Sequence, residues 1–161
     1  SYLLQALVQA QAWSNAEATL ERTRELIRTT DRGESEWLVA LGEARLAKGQ
    51  GDLETAVSAA LSAVEQIADL SRGMDRVIDR SRFIVARRGT HEFAVDLLLH
   101  RAEAEDQGSS SPARIQAFEI MLQAKERVLA ETNDQGGARI ADELFDYRRI
   151  HTALGDAVLV E

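Results

Sequence analysis

The chain has 161 residues, of which 45% are hydrophobic and 5% aromatic, with one proline and no cysteine. This length and composition support a domain with a sizeable core and favour helices over a β-sandwich or barrel. The lack of cysteine excludes disulfides, thiolate nucleophiles and Cys-based zinc sites, and the formal charge of −8 argues against non-specific binding to nucleic acid or an anionic membrane.

The sequence also predicts where the protein resides. No apolar run approaches the roughly 20 residues that cross a bilayer, and no signal-peptide pattern is present at the start. We therefore expect a cytoplasmic protein that does not contact the membrane. The first residues begin inside an apolar pattern, which is typical of a fragment that lacks its natural start.

Apolar residues at helical spacing predict four helices in the first part of the chain. The first covers residues 1–12, and the second opens at a capping box formed by Ser14 and Glu17. The third covers 35–48 and the fourth 52–70. The predicted inward positions of the second helix are Ala16, Leu20, Thr23 and Ile27.

A glycine-containing turn joins the third and fourth helices. The helical pattern stops at Lys48–Gly51, with Gly49 and Gly51 both predicted as turn residues, and Asp52 is a favourable N-cap for the fourth helix. An apolar pattern then follows one face of the fourth helix, at Ala56, Ala60, Ala63 and Ile67, with the small residues four and then three apart.

Four further helices are predicted beyond a break at residues 71–73. The fifth ends at Gly89, Thr90 caps the sixth, residues 107–110 form a linker, and Pro112 opens the seventh. The predicted inward stripe of the seventh helix is Ile115, Phe118, Leu122, Val128 and Leu129. After a loop at 133–137, the eighth helix carries Ile140, Leu144, Tyr147, Ile150 and Leu154, and residues 157–160 predict a strand.

A turn followed by alanine recurs three times, around residues 13–16, 51–56 and 89–94. The spacing of about 40 residues indicates a degenerate helix-hairpin repeat. We therefore predict an all-α, tetratricopeptide-like array of helical hairpins, with about eight helices and a short C-terminal strand. The predicted divisions are repeats over 1–107, a terminal helix pair over 108–156, and the start of a truncated strand over 157–161.

The middle of the chain resembles tetratricopeptide-repeat proteins. Leu41-Gly42 matches the Leu-Gly pair of that repeat, the turn from Gly51 to Ala56 matches its turn and alanine, and Ala60 and Ala63 fall at its later small positions. The other repeats mostly lack the large aromatic residue of the first helix. The resemblance implies a helical repeat fold that binds a protein or peptide.

Residues 112–161 resemble the junction that precedes a CHAT domain, the caspase-like domain that follows tetratricopeptide repeats in many bacterial proteins. The match is carried by residues 117–120, 123–129 and 150–161. It implies that the catalytic domain, with its histidine and cysteine, begins where this chain stops. Members of that family act in bacterial immunity and programmed cell death.

A positive island stands out in this acidic chain. Arg72, Arg76 and Arg80 are four residues apart, which predicts a stripe on one face of the fifth helix, and Arg82, Arg87 and Arg88 add to it. One hypothesis is a contact for an acidic peptide, another domain or a nucleic-acid backbone. The other is a set of local ion pairs with Asp75 and Asp79.

The repeat interpretation places partner contacts on a concave face. The residues predicted for partner binding are Arg72, Arg76, Arg80, Arg87, Glu36, Glu43 and Asp79. We predict no catalytic residue, metal or cofactor. His91 and His100, nine residues apart at a similar angular position, are too distant along a helix to share a metal. We expect them, and His151, at the surface or at hairpin edges.

Carboxylate clusters are predicted to be solvated helix faces rather than acid–base sites. They comprise Glu103, Glu105, Asp106, Asp142, Glu143 and Asp146.

Three functional hypotheses remain open. The first is a non-catalytic interaction and regulatory repeat module of a bacterial caspase-like CHAT protease, binding a protein or peptide, with its own protease domain as one candidate. The second is the sensor region of a bacterial transcription regulator, or a freestanding helical adaptor. The third is a freestanding helical enzyme, which no convergent polar group supports. Nucleic acid is not predicted as a direct ligand.

Overall fold

The computed structural model describes residues 2–30, 33–105 and 111–132. This part of the chain consists of α-helices, short turns and one 3-10 turn at Gly33–Ser35, which confirms the predicted all-α class. The helices are α1 Tyr2–Gln9, α2 Trp13–Thr29, α3 Glu36–Gln50, α4 Leu53–Arg72, α5 Val77–Val85, α6 Arg88–Ala104 and α7 Pro112–Thr132. The predicted eighth helix and the strand at 157–160 lie outside the described residues.

The chain forms two compact units, residues 1–70 and 71–161. The predicted linker at 107–110 lies outside the described residues. No helix in the described ranges is both long and apolar enough to cross a membrane.

The first unit is built on α3, against which α1 and α2 pack. Its core cluster comprises Leu4, Ala16, Leu20, Val39 and Leu46, with Leu7, Val8, Trp13 and Ile27 packed against it. Of the four inward positions predicted for α2, Ala16 and Leu20 are buried and the other two are half-buried.

Two glycines on α3 allow this close packing. A Cβ atom at Gly42 would lie 2.7 Å from methyl groups of both Leu20 and Leu4. A Cβ at Gly49 would lie 2.9 Å from the Trp13 ring and from a methyl group of Val8. The prediction of Gly49 as a turn residue is therefore wrong. It lies inside α3, two turns beyond Gly42, and both positions lie close to side chains of α1 and α2.

The turn from α3 to α4 contains Gly51 and is followed by Asp52, as predicted. Gly51 adopts a left-handed φ of 83°, its N–H donates to the Lys48 carbonyl at 3.1 Å, and the Asp52 N–H donates to the Ala47 carbonyl at 2.9 Å. These two bonds form a Schellman motif that satisfies the last carbonyls of α3. Asp52 then accepts the Thr55 N–H at 3.0 Å, which confirms it as the N-cap of α4.

The turn from α1 to α2 differs from its prediction. Helix α1 ends at Gln9, and α2 begins at Trp13 with no side-chain hydrogen bond from its N-cap residue, Ala12. The capping box predicted for Ser14 and Glu17 is therefore wrong. The chain instead reverses at Gln11, which adopts a left-handed φ of 54°.

Helix α4 buries the face that its small residues predicted. Ala56, Ala60 and Ala63 are fully buried, and Ile67 is 1% exposed. Side chains four and three residues apart lie on one side of a helix, so the apolar period of this segment determined its buried face.

The second unit contains α5, α6 and α7, with α7 packed against both α5 and α6. Gly89 and Thr90 lie in the first turn of α6, so Gly89 does not end the fifth helix and Thr90 does not cap the sixth. Thr90 is buried, and its N–H donates to the Arg87 carbonyl at 2.9 Å. Local capping chemistry was misleading here, because a hydroxyl residue at a helix start also fits inside the first turn.

Helix α7 begins at Pro112 as predicted, but it buries the opposite face from the predicted one. Its buried residues are Ala113, Ala117, Ile120 and Ala124. Ile115 is 52% exposed and Leu122 is 39% exposed. Small residues allow a helix to approach its neighbours closely, and the 3.6-residue period then turns Ile115 and Leu122 outward.

Candidate interaction surfaces

The first candidate site is an open groove along the α2–α3 pair. Its volume is about 490 Å³, and it is lined by Ser14, Glu17, Ala18, Leu20, Glu21, Arg24 and Leu46. Leu20 and Leu46 belong to the buried core cluster, so the floor is apolar. We call this surface the α2–α3 groove.

Two polar bridges join α2 to α3. The Gln50 side-chain amide donates to Glu17 Oε1 at 3.0 Å, and the Arg24 guanidinium donates to Glu43 and to Glu21. Arg24 lies seven residues after Glu17 on α2, while Glu43 lies seven residues before Gln50 on α3. The two helices are therefore antiparallel, with the bridges two turns apart.

The charges beside the groove are unequal. Its lining contains the carboxylates Glu17 and Glu21 and one cation, Arg24, with Glu43 next to it. The hydrogen bond to Glu43, ahead of the one to Glu21, raises the pKa of Arg24, so this guanidinium stays charged. Because the side chains of Arg24 and Glu43 are 46% and 38% exposed, solvent screens the pair, which contributes only about 0–1 kcal/mol to stability.

The α2–α3 groove is open rather than an enclosed small-molecule pocket. Ligand pockets of about 300–1,000 Å³ normally bury most of their ligand, whereas this groove is open to solvent.

The predicted arginine stripe is not one helix face. Arg72 is the last residue of α4, and the chain between Gly73 and Arg76 is not helical. Arg76 is the N-cap of α5 with an extended backbone, φ −94° and ψ 127°, and Arg80 lies within α5. The stripe was wrong because residues four apart share a face only within an unbroken helix.

Arg76 and Arg80 make local contacts in the second unit. The Arg76 guanidinium lies 3.9 Å from the Asp79 carboxylate, which confirms that predicted ion pair, and both side chains are exposed. Arg80 donates to the Asp75 carbonyl at 3.5 Å. Arg88 pairs with Glu92 at 3.1 Å. Carboxylates on α5 and α6 therefore offset part of the positive charge of these arginines.

Arg87 makes two contacts with Phe83 near the end of α5. Its guanidinium carbon lies 3.5 Å from the centre of the Phe83 ring, and it donates to the Phe83 carbonyl at 3.0 Å near the end of α5. Partial burial lowers the pKa of Arg87, because the charged form loses hydration. These contacts hold Arg87 at the α5–α6 junction by a cation–π and a hydrogen-bond interaction.

The seven residues predicted for partner binding fall in both units. Glu36, exposed in the first turn of α3, and Glu43 belong to the first unit; Arg72, Arg76, Asp79, Arg80 and Arg87 belong to the second. Glu43 alone of these borders the α2–α3 groove. A role for the set in binding a partner stays a prediction.

The two histidines that the structure describes lie in different environments. His91 is 6% exposed and lies near the start of α6, with Nδ1 3.4 Å from the Arg87 carbonyl oxygen, so of its two predicted positions the surface one is wrong. His100 is exposed and lies 3.8 Å from Glu103. Nine residues correspond to two and a half turns, which places the two rings on opposite sides of α6 rather than at a similar angle. His151 lies outside the described residues.

The carboxylate clusters are described only in part. Glu105 lies 3.6 Å from Arg101 and also accepts a hydrogen bond from Ser111 at 3.4 Å. Asp106, Asp142, Glu143 and Asp146 lie outside the described residues. Among the residues that the structure does describe, no three His, Asp or Glu side chains are grouped to hold a metal ion.

Sequence reasoning missed the α2 side of the groove. Glu17, Glu21 and Arg24 are spaced four and three residues apart, so a helix places them on one face. That spacing was visible in the sequence, but it is also typical of a solvated helix surface.

No protein-family model, curated protein or solved structure matches the chain.

Proposed function

We propose that this chain is a protein-interaction module that binds a peptide segment in the α2–α3 groove. The observation that carries the proposal is the combination of an apolar floor with a carboxylate-rich rim on one open surface. The preferred ligand is an extended or helical peptide with one aliphatic side chain beside lysine or arginine. Such sites gain affinity from the buried apolar side chain, while the charges give specificity and speed association.

Binding can be tested with fluorescein-labelled synthetic peptides that carry a central leucine flanked by lysines. We expect saturable fluorescence anisotropy with the full chain, weakened at least about tenfold, or 1.4 kcal/mol, by the double variant Glu17→Lys and Glu21→Lys. Glu65→Lys, an exposed charge reversal on α4 in the same unit, is the control and should bind normally. Equal binding by all three proteins, or by none, would contradict the proposal.

We also propose which kind of protein this chain belongs to. The resemblances support a tetratricopeptide-like repeat region that regulates a bacterial caspase-like CHAT protease without itself being catalytic. Intact-mass and flanking-sequence analysis of the native protein tests this. A His- and Cys-containing protease domain after Glu161 is expected, and a native protein without one would exclude the assignment.

The second candidate is the sensor region of a bacterial transcription regulator, or a freestanding adaptor. The same flanking sequence separates these from the protease assignment. A DNA-binding helix-turn-helix in the parent chain would favour the regulator, and neither domain would favour the adaptor. The peptide-binding measurement is independent of this result, because the groove belongs to the described first unit.

A further inference from the structure

The carboxylates at the α2–α3 groove differ in the groups that they already bind. The Arg24 guanidinium donates to Glu21 on its own helix and to Glu43 on α3, so both of these carboxylates are paired with a cation. Glu17 instead accepts a hydrogen bond from a neutral donor, the Gln50 side-chain amide, at 3.0 Å. In the part of the chain that the structure describes, no lysine or arginine forms an ion pair with Glu17.

The electrostatic environment of Glu17 is therefore the most favourable one in the groove for a ligand's cation. A cation placed at Glu21 would be attracted by that carboxylate but repelled by Arg24, which is bonded to it. Glu17 lies seven residues before Arg24, or about 10.5 Å along the axis of α2 at 1.5 Å per residue. That separation exceeds the Debye length of about 8 Å at physiological ionic strength, so Arg24 repels a cation at Glu17 only weakly.

The hydrogen bond from Gln50 leaves Glu17 able to bind a cation. It uses Oε1, whereas a carboxylate has two oxygens with about four acceptor positions between them. Because the amide is neutral, the carboxylate keeps its full charge. The bond also links the side chain of Glu17 to α3, which reduces the rotamer freedom that an exposed glutamate loses when a ligand binds.

Glu17 also lies next to the apolar floor of the groove. Leu20 follows it by three residues on α2, so the two side chains are neighbours on the helix surface. Leu46 of α3 completes the floor beside Leu20. A single short peptide can therefore place an aliphatic side chain on the two leucines and a cation at Glu17.

We propose that Glu17 is the specificity-determining carboxylate of the α2–α3 groove and that Gln50 is its positioning residue. This inference rests on the proposed peptide-binding function and assigns recognition of the ligand's lysine or arginine to one side chain. Glu21, one turn further along α2, keeps its pairing with Arg24 and forms no ion pair with the ligand.

The assignment can be tested with two fluorescein-labelled peptides of the same sequence. One carries a central leucine flanked by lysines, and the other has acetyl-lysine in place of each lysine, which removes the charge of the side chain. Fluorescence anisotropy with the full chain gives a dissociation constant for each peptide, and the ratio of the two constants measures recognition of the cation.

Glu17→Gln should weaken binding of the lysine peptide about fivefold, the upper range for a solvent-exposed ion pair, and leave the acetylated peptide unaffected. Glu21→Gln is the matched control, because it removes the same charge from the same helix one turn away. It should change the ratio of dissociation constants by less than about twofold. Circular dichroism checks that each variant is folded.

Gln50→Met tests the positioning role, since methionine has a side chain of similar length without the amide donor. It should weaken binding of the lysine peptide about two- to threefold and leave the acetylated peptide unaffected, because only the orientation of Glu17 changes. A merely structural role for Gln50 would weaken both peptides alike. That result, or no effect on either peptide, would overturn the role assigned to Gln50.

The outcomes separate this proposal from the proposed function. Equal losses in Glu17→Gln and Glu21→Gln, or a larger loss in Glu21→Gln, would overturn the assignment of Glu17 while peptide binding in the groove stands. The same holds if the wild-type protein binds the lysine and acetylated peptides equally well. A wild-type protein that binds neither peptide would overturn both the proposed function and this assignment.

Discussion

The turn from α1 to α2 and the turn from α3 to α4 have the same hydrogen-bond pattern but different residues at the critical position. In the first, Gln11 N–H donates to the Val8 carbonyl at 3.0 Å, and Ala12 N–H donates to the Leu7 carbonyl at 2.9 Å. In the second, Gly51 and Asp52 make the equivalent bonds. Both are Schellman motifs with a left-handed residue.

The two turns are stabilised from different sources. Glycine at position 51 adopts its left-handed φ without a steric penalty, and Asp52 caps the next helix, so the second turn is encoded locally. The Cβ atom of Gln11 makes its left-handed conformation sterically unfavourable, and the helix that follows, α2, has no side-chain cap. Packing of Leu4, Val8, Trp13 and Leu20 beside the α3 glycines offsets that penalty, so the first turn depends on tertiary contacts.

The largest effect should come from removing that packing. Leu20→Ala should lower the free energy of unfolding by about 2–5 kcal/mol, because it leaves a cavity among α1, α2 and α3. Leu26→Ala on the same helix, where the side chain is 60% exposed, should change it by less than about 0.5 kcal/mol. Chemical denaturation measures both, and similar losses for the two variants would contradict the tertiary origin of the first turn.

The left-handed residues can be exchanged directly. Gly51→Ala should destabilise the protein by about 1–2 kcal/mol, because alanine pays the left-handed penalty at a φ of 83°. Gln11→Gly should stabilise it by about 0.5 kcal/mol, since relief of that penalty exceeds the entropy cost of glycine. The melting temperatures of the two variants should therefore move in opposite directions. Shifts of the same sign would contradict the steric penalty assigned to a side chain at these two left-handed positions.

One glycine on α3 and one on α6 give a matched pair of opposite sign. Gly42→Ala should lose about 1 kcal/mol, because overpacking against two buried leucines outweighs the better helix propensity of alanine. Gly89→Ala, in the first turn of α6 with open space around its Cβ position, should gain about 0.4–1 kcal/mol. A gain at both positions would mean that α1 and α2 can move away from α3 without cost.

The smallest effect concerns pH at the locally encoded turn. Hydrogen bonds from the Thr55 hydroxyl and then its N–H hold the pKa of Asp52 below its usual range. The contribution of ionised Asp52 is therefore complete above the unfolded pKa of about 4 and is lost as pH falls through the lower folded value. Asp52→Asn keeps a capping side chain without titrating, so melts from pH 7 to pH 2 should show wild type losing stability relative to this variant. A constant difference would contradict the role of the carboxylate.

Prediction from sequence succeeded where one segment contains all the information that its structure needs. The small residues of α4 determined its buried face, and Gly51-Asp52 determined both a helix end and a helix start. It failed at α7, where the large residues Ile115 and Leu122 were predicted to face the core. The buried face of α7 is instead formed by three alanines and Ile120. The arginine stripe failed because the non-helical stretch runs to Arg76, past the break predicted at residues 71–73, so that Arg72 and Arg80 lie on different helices.

None of the residues that line the α2–α3 groove was predicted as a partner contact, although Glu43, which was, bonds Arg24 beside it. The charged lining residues, Glu17, Glu21 and Arg24, are spaced like an ordinary solvated helix face. They border a groove because the next helix lies antiparallel beside them with the leucines of the core between. A single helix cannot show this, because its sequence does not say which neighbour lies next to each face.

The sequence by itself therefore determined the helical class, the positions of most helices, the α3–α4 turn and the buried face of α4. Each follows from short-range period, from capping, or from a glycine that adopts a left-handed backbone without a steric penalty. Only the tertiary structure decided that Gly49 lies in a helix beside Trp13 and Val8, that Gln11 makes a turn, that His91 is buried, and which face of α7 lies inside. These depend on contacts between segments distant in sequence, where close approach of backbones outweighs the hydrophobicity of individual side chains.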